Sequence, residues 1–125
     1  TYEFNKSEDL SAHHCHCRDC QKITGSGKAT ILLVPSNSLT VSGDLKFYTV
    51  EGSAGSHVSR GFCSECGSQL ISYVDENPDL KFIKVGSIDD SSWVSISSNF
   101  WSSTANPWSP ADDSVHCFTH NPDFA

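Results

Sequence analysis

Five of the six cysteines fall in two tight clusters, Cys15-His16-Cys17-Arg18-Asp19-Cys20 and Cys63-Ser64-Glu65-Cys66-Gly67. Disulfide frameworks spread their cysteines across the loops they staple, so this clustering points to metal ligation in a reducing compartment. Cys63 and Cys66 are spaced to share one tetrahedral ion, and Gly67 permits the left-handed turn that aims backbone amides at sulfur. That pair is half of a structural site, because structural zinc is normally closed by four protein groups. Cys15, Cys17 and Cys20 put three thiolates into one short loop, which suits an ion whose fourth position stays open, as in catalytic zinc. The count also allows four cysteines to close one ion with one left over, and spacing alone leaves both partitions standing. Cys117, between His116 and His120, has no partner motif and reads as a buried or free thiol.

Three thiolates around a dication leave about one net negative charge by simple counting, which makes a weak generator of hydroxide. Such a centre can still take a substrate thiol and lower its pKa, and a thiolate is the nucleophile that adds to an aldehyde; the reverse step cleaves the same carbon–sulfur bond. A substrate thiol that carries carboxylates needs local positive charge. Between positions 13 and 30 the chain places Arg18, Lys22 and Lys28 against Asp19, a local balance of +2 in a chain of net charge -7. Arg60, just before Cys63, carries a planar fork suited to a carboxylate, although isolated surface charges are common. Gly25-Ser26-Gly27 reads either as a loop that lets backbone approach a ligand or as a flexible turn. His13, His14 and His16 are candidate extra ligands or proton carriers, and His57 is expected to face solvent.

The elements that would position these groups are strands. Period-2 stretches run from Ala29 to Val34, Leu39 to Ser42, Leu45 to Val50, His57 to Phe62, Gln69 to Val74, Leu80 to Val85 and Trp93 to Ser97. Turn residues separate them at 35–37, 42–44, 51–55, 75–78 and 87–90. The pattern predicts an all-β domain of antiparallel sheets in a sandwich or barrel, with one short helix over Arg18 to Ile23. From Asn99 onward the chain reads as an irregular tail wrapped on the domain, with Trp101 and Trp108 packed on the core rather than lining a pocket.

The 125 residues fit one compact domain, and 37% hydrophobic with 18% charged residues is ordinary for a folded chain. With eight Lys and Arg against 15 Asp and Glu, the charge has the wrong sign for gripping nucleic-acid phosphates or anionic lipid. The longest apolar run, Ile31 to Pro35, falls far short of the ~20 residues a membrane span needs. A reducing compartment places the protein in the cytoplasm, with the nucleus open to it.

The run His14-Cys15-His16-Cys17-Arg18-Asp19-Cys20-Gln21-Lys22 with Thr24-Gly25, then Arg60-Gly61-Phe62-Cys63 with Cys66-Gly67-Ser68, then Val85-Gly86-Ser87-Ile88-Asp89-Asp90 and Pro107-Trp108, resembles the glutathione-dependent formaldehyde-activating enzyme family. That family takes in the centromere protein V group, and the likeness covers the chain from Thr1 to about Asp123. The resemblance implies an all-β, zinc-bearing, Mss4-like fold and a carbon–sulfur lyase acting on a thiol adduct of glutathione. It implies a catalytic zinc on Cys15, Cys17 and Cys20, and half of a structural zinc site from Cys63 and Cys66. Arg18, Lys22, Gly25 and Arg60 are then the substrate-binding candidates. Family members carry a further C-x-C-G just before the first strand. That motif would fall upstream of Thr1, and with no Met at position 1 a missing front segment is expected. Asn99 stands where many relatives have His. A reading of another class also fits, a binding module in which zinc only braces the fold, as in non-enzymatic Mss4-like proteins.

Overall fold

The computed structural model describes residues 1–6, 10–52 and 55–122. Among them are strands β1 (Tyr2–Phe4) and β2 (Ser11–Cys15), helix α1 (Arg18–Thr24), then β3 (Ala29–Pro35), β4 (Leu39–Val41), β5 (Leu45–Glu51), β6 (His57–Cys63), β7 (Gln69–Val74), β8 (Asn77–Lys84), β9 (Ile96–Phe100) and β10 (His116–Cys117). The all-β class with little helix is as the sequence indicates. Two compact units share these elements: unit one is Thr1–Leu10 with Leu32–Asp89, and unit two is Ser11–Ile31 with Asp90–Ala125. Residues 29–31 of β3 belong to unit two and 32–35 to unit one.

In unit one the strand order is β3-β8-β7-β6-β5, and β1 pairs with β4 in a separate antiparallel ribbon. β5 to β8 run antiparallel because their alternating β-branched and aromatic residues are joined by short polar turns. Leu32, Val34, Ile71, Phe82, Ile83 and Val85 form the core. The register sets Tyr48 opposite Arg60, Arg60 opposite Ser72, and Ser72 opposite Phe82. Directly opposed residues share a face, so these four side chains stand on one side of the sheet and Gly61, Ile71 and Ile83 on the other. β8 begins at Asn77, earlier than the turn residues suggested. Val74 pairs with Asn77 across a tight two-residue turn, and Pro78 lies near the strand's start, where a missing N–H is tolerated.

In unit two the order is β10-β9-β2-β3, with β9 parallel to both β2 and β10. This departs from antiparallel pairing throughout. A period of two reports a strand but not its direction, and parallel partners lie far apart in the chain. β9 runs three residues later than Trp93 to Ser97. The stretch read as an irregular tail therefore begins inside β9 and contains β10. Ala12, Cys15, Cys20, Ala29, Ile31 and Phe100 are buried in this unit. Of the turn expected at 51–55, Ser53 and Ala54 lie outside the described residues, as does Asp123.

His57 does face solvent, and it ties the start of β6 to the β7–β8 turn. Its Nδ1 lies 2.7 Å from Glu76 Oε1, and its backbone N–H donates to both Glu76 oxygens at 3.0 Å. The Glu76 hydrogen bond raises the His57 pKa above 6.5, and the His57 contact lowers that of Glu76 below 4.5. The raised His57 value adds stability that is present at low pH and lost as pH rises through it. The lowered Glu76 value adds stability present above its ordinary range and lost as pH falls. Glu76→Gln is therefore expected to lower the melting temperature between pH 4.5 and 6.5 and to converge with wild type at pH 8, as read by thermal melts across pH. A gap of the same size at pH 8 would assign the effect to something other than the ion pair.

Candidate metal centre

Cys15 ends β2, Cys17 is the N-cap of α1 and Cys20 lies in its first turn, so a strand end and a helix start fold the three side chains inward. One ligand atom from each lies within 4.8 Å of the others. Cys17 is extended at φ -63°, ψ 154°, and its Sγ accepts the Cys20 N–H at 3.3 Å, doing for this helix what a Ser or Asp cap does elsewhere. At the far end Gly25 adopts φ 67° and its N–H donates to the Gln21 carbonyl at 2.9 Å, a conformation glycine takes without a Cβ penalty.

Hydrogen bonds from the neighbouring thiols Cys17 and Cys20, with burial, push the Cys15 thiol far above its ordinary value. The Cys15 contact lowers the Cys17 pKa, but the Cys20 thiol and burial outweigh it and the value is pushed up to about 11. Thiolates crowded this closely repel one another, so only a cation holds all three ionised near neutral pH. A soft, three-sulfur donor set in a mostly buried loop fits zinc.

Residues 1–104 match the family described as glutathione-dependent formaldehyde-activating enzyme. The chain belongs to that family. A crystal structure of a Rhodobacter sphaeroides protein superposes with a TM-score of 0.54 at 20% sequence identity, over 70% of this chain and 78% of that one, a likeness of fold. No curated protein gives a significant match.

In this family member the second motif is also laid out as a turn. Cys63 closes β6, Gly67 takes φ 77° and donates to the Cys63 carbonyl at 2.8 Å, and the Ser68 carbonyl accepts the Cys63 N–H at 2.9 Å. Cys66 is exposed, its Sγ 3.2 Å from Ser68 Oγ. The Ser68 hydroxyl and amide, then the Cys63 thiol, lower its pKa. These contacts favour the thiolate, the form that binds metal.

The histidines are engaged elsewhere. His13 bonds Ser98 and Ser11 and stacks on Phe100. His14 bonds Thr30 Oγ1 at 2.9 Å; burial, then the Lys28 charge, push its pKa down to about 4, so it is neutral at pH 7. His16, fully buried, meets Asn99 Oδ1 through Nε2 at 3.3 Å. Arg18 donates to Gln21 Oε1, while Lys22 lies in the last turn of α1. Arg60 sits in β6 of unit one. Cys117 is an exposed free thiol. Trp101, at φ 58°, donates to Asn121 Oδ1.

Trp108 does not pack on the core. It is 69% exposed, because the tight turn closed by Ser109 N–H on Asn106 O projects it outward. Gly27 is required there: a Cβ at this position would lie 2.2 Å from Ser109 Cβ.

Residue-type reasoning missed Gln21 and Asn99 as supports. Gln21, 5% exposed, donates to the carbonyls of His16 and Thr104 at 2.8 and 3.0 Å and accepts from Asn106 Nδ2 at 2.9 Å. Thr104 Oγ1 donates to the same His16 carbonyl at 2.8 Å. The backbone between Cys15 and Cys17 is thus held from two sides. Asn99, fully buried in β9, joins His16 to the Asp112 backbone and to Cys117 Sγ. Only its position beside β2, which a single sequence does not reveal, makes it a support.

Cys17→Ser is expected to lower bound zinc per chain in protein purified without added metal, measured by atomic absorption, and an unchanged ratio would contradict the assignment. Gln21→Leu removes the donor to the Thr104 carbonyl, one of the two donors to the His16 carbonyl and the acceptor of Asn106, and should cost about 1–3 kcal/mol in denaturant unfolding. No loss would mean the clamp carries no stability.

Proposed function

We propose that this chain is a zinc-dependent carbon–sulfur lyase acting on a glutathione-type thiol adduct, forming or cleaving S-hydroxymethylglutathione or a related small adduct. The observation that carries this reading is the three-thiol cluster of Cys15, Cys17 and Cys20 in a chain of the formaldehyde-activating family. These three residues would hold the zinc, and Cys63 with Cys66 would supply half of a second, structural site. When bound, the zinc acidifies a substrate thiol, so that the thiolate predominates near neutral pH. In the forward direction the thiolate sulfur bonds to the aldehyde carbon and the carbonyl oxygen takes up a proton. The reverse breaks that carbon–sulfur bond, returns the electron pair to sulfur and releases the aldehyde.

The remaining work is binding and orientation. Arg18 and Lys22 flank Cys20 on α1 and offer positive charge to the carboxylates of an acidic thiol. Gly25, without a side chain, leaves the backbone at the end of α1 open to ligand approach. Arg60 is the fourth candidate for a substrate carboxylate. The partner is a small molecule and not nucleic acid, and the site of action is the cytoplasm, with the nucleus open to it.

Calorimetry on the zinc-loaded protein tests the reading. Glutathione should bind clearly more tightly than S-methylglutathione, which keeps the carboxylates and lacks an ionisable thiol. Equal affinities, or no binding of either, would favour a zinc-braced binding module instead.

A further inference from the structure

One face of the unit one sheet gathers positive charge into a buried place. Arg60, on β6, is 6% exposed, and Lys84, on β8, is 8% exposed. Ser72, on β7, is 2% exposed and lies directly opposite Arg60 in the register. Ser72 in turn opposes Phe82, and Lys84 two residues on projects to the same face. The Lys84 ammonium donates to Ser72 Oγ at 3.1 Å. Directly opposed residues have Cβ atoms about 4.5–5.5 Å apart, so the guanidinium stem and the hydroxyl that receives the ammonium are immediate neighbours.

A guanidinium withdrawn from water ordinarily has an acceptor. Among the described residues, Arg60 makes no side-chain hydrogen bond or ion pair. Its nitrogens are nonetheless not sealed. Among the described residues the fully occluded side-chain nitrogen and oxygen atoms without a partner are His16 Nδ1 and Gln69 Oε1, so those of Arg60 keep an opening to solvent. Tyr48, opposite Arg60 on the edge strand β5, is 62% exposed.

We propose that Arg60, Ser72 and Lys84 form an oxyanion-binding site on this face, which takes a carboxylate or phosphate group against the guanidinium fork. The planar fork offers two parallel N–H donors to such a group. The ammonium, fixed by the Ser72 hydroxyl, supplies the second charge. A monodentate halide would gain only the charge and not the paired geometry. The carboxylate form of this site deepens the reading of Arg60 as a substrate contact, while the site itself is defined by these three residues and needs no zinc.

The chain has two arginines, Arg18 and Arg60, so their side-chain Nε–Hε resonances make a two-signal experiment with an internal control. Spectra of the 15N-labelled protein, with Arg18→Lys used for assignment, are followed through titrations of succinate, inorganic phosphate and chloride at matched ionic strength. The Arg60 signal should move and saturate with succinate, phosphate or both, and not with chloride, while Arg18 should not follow the same curve. Succinate alone would identify a carboxylate ligand, phosphate alone a phosphate group, and both a general oxyanion site. Ser72→Ala, which removes the hydroxyl that receives the Lys84 ammonium, should weaken the response about threefold to tenfold. An Arg60 signal unmoved by both anions, or one that tracks chloride or Arg18, would overturn the proposal. An unaltered affinity in Ser72→Ala would remove Ser72 and Lys84 from it.

Discussion

Mutual repulsion among three sulfur atoms governs the centre of this molecule. Cys15, Cys17 and Cys20 lie within 4.8 Å of one another, two of them buried, and each thiolate makes the next harder to form. The chain therefore has two states to offer at neutral pH: protonated thiols, or thiolates held by a cation. Much of the surrounding architecture serves to hold the second. β2 delivers Cys15, the extended backbone at Cys17 turns the chain, and the first turn of α1 returns Cys20.

A loop that converges on an ion must itself be held. The His16 carbonyl sits between two ligands and accepts from both Gln21 and Thr104. The His16 N–H donates to the Phe100 carbonyl at 3.0 Å, continuing the parallel β2–β9 pairing past the last strand residue. The Gln21 bond is buried and the Thr104 bond part-buried, and such bonds are costly to leave half-made. The neutral polar network thus fixes the backbone, and a cation bound among the sulfurs would fix them in turn. Charge is organised differently in unit one, where Arg60 and Lys84 are buried beside a hydroxyl on a sheet that otherwise follows ordinary alternation.

Much of this was legible in the residues. Seven strands and the helix announced themselves by period and turn chemistry, and β7 matched end to end. The clustering of Cys15, Cys17 and Cys20 was legible from their spacing, because residues so close in sequence meet locally where a strand end turns into a helix start. Less legible was whatever depends on partners distant in sequence. β2 is written as Ser-Ala-His-His-Cys, a metal motif that lacks β-branched residues, so its pairing with β9 left no local mark. Gln21 looked like any helix residue until Thr104 and Asn106 were seen around it. Trp108 was misread because an aromatic side chain reports its appetite for burial but not the turn that projects it outward.

The central claim is that one ion is held by three sulfurs of a single loop. X-ray absorption at the zinc edge, on the Cys63→Ser/Cys66→Ser double variant, tests it with the other clustered thiols removed. Three sulfur scatterers at about 2.3 Å with one lighter ligand are expected. A shell dominated by nitrogen and oxygen, or no zinc retained at all, would contradict it.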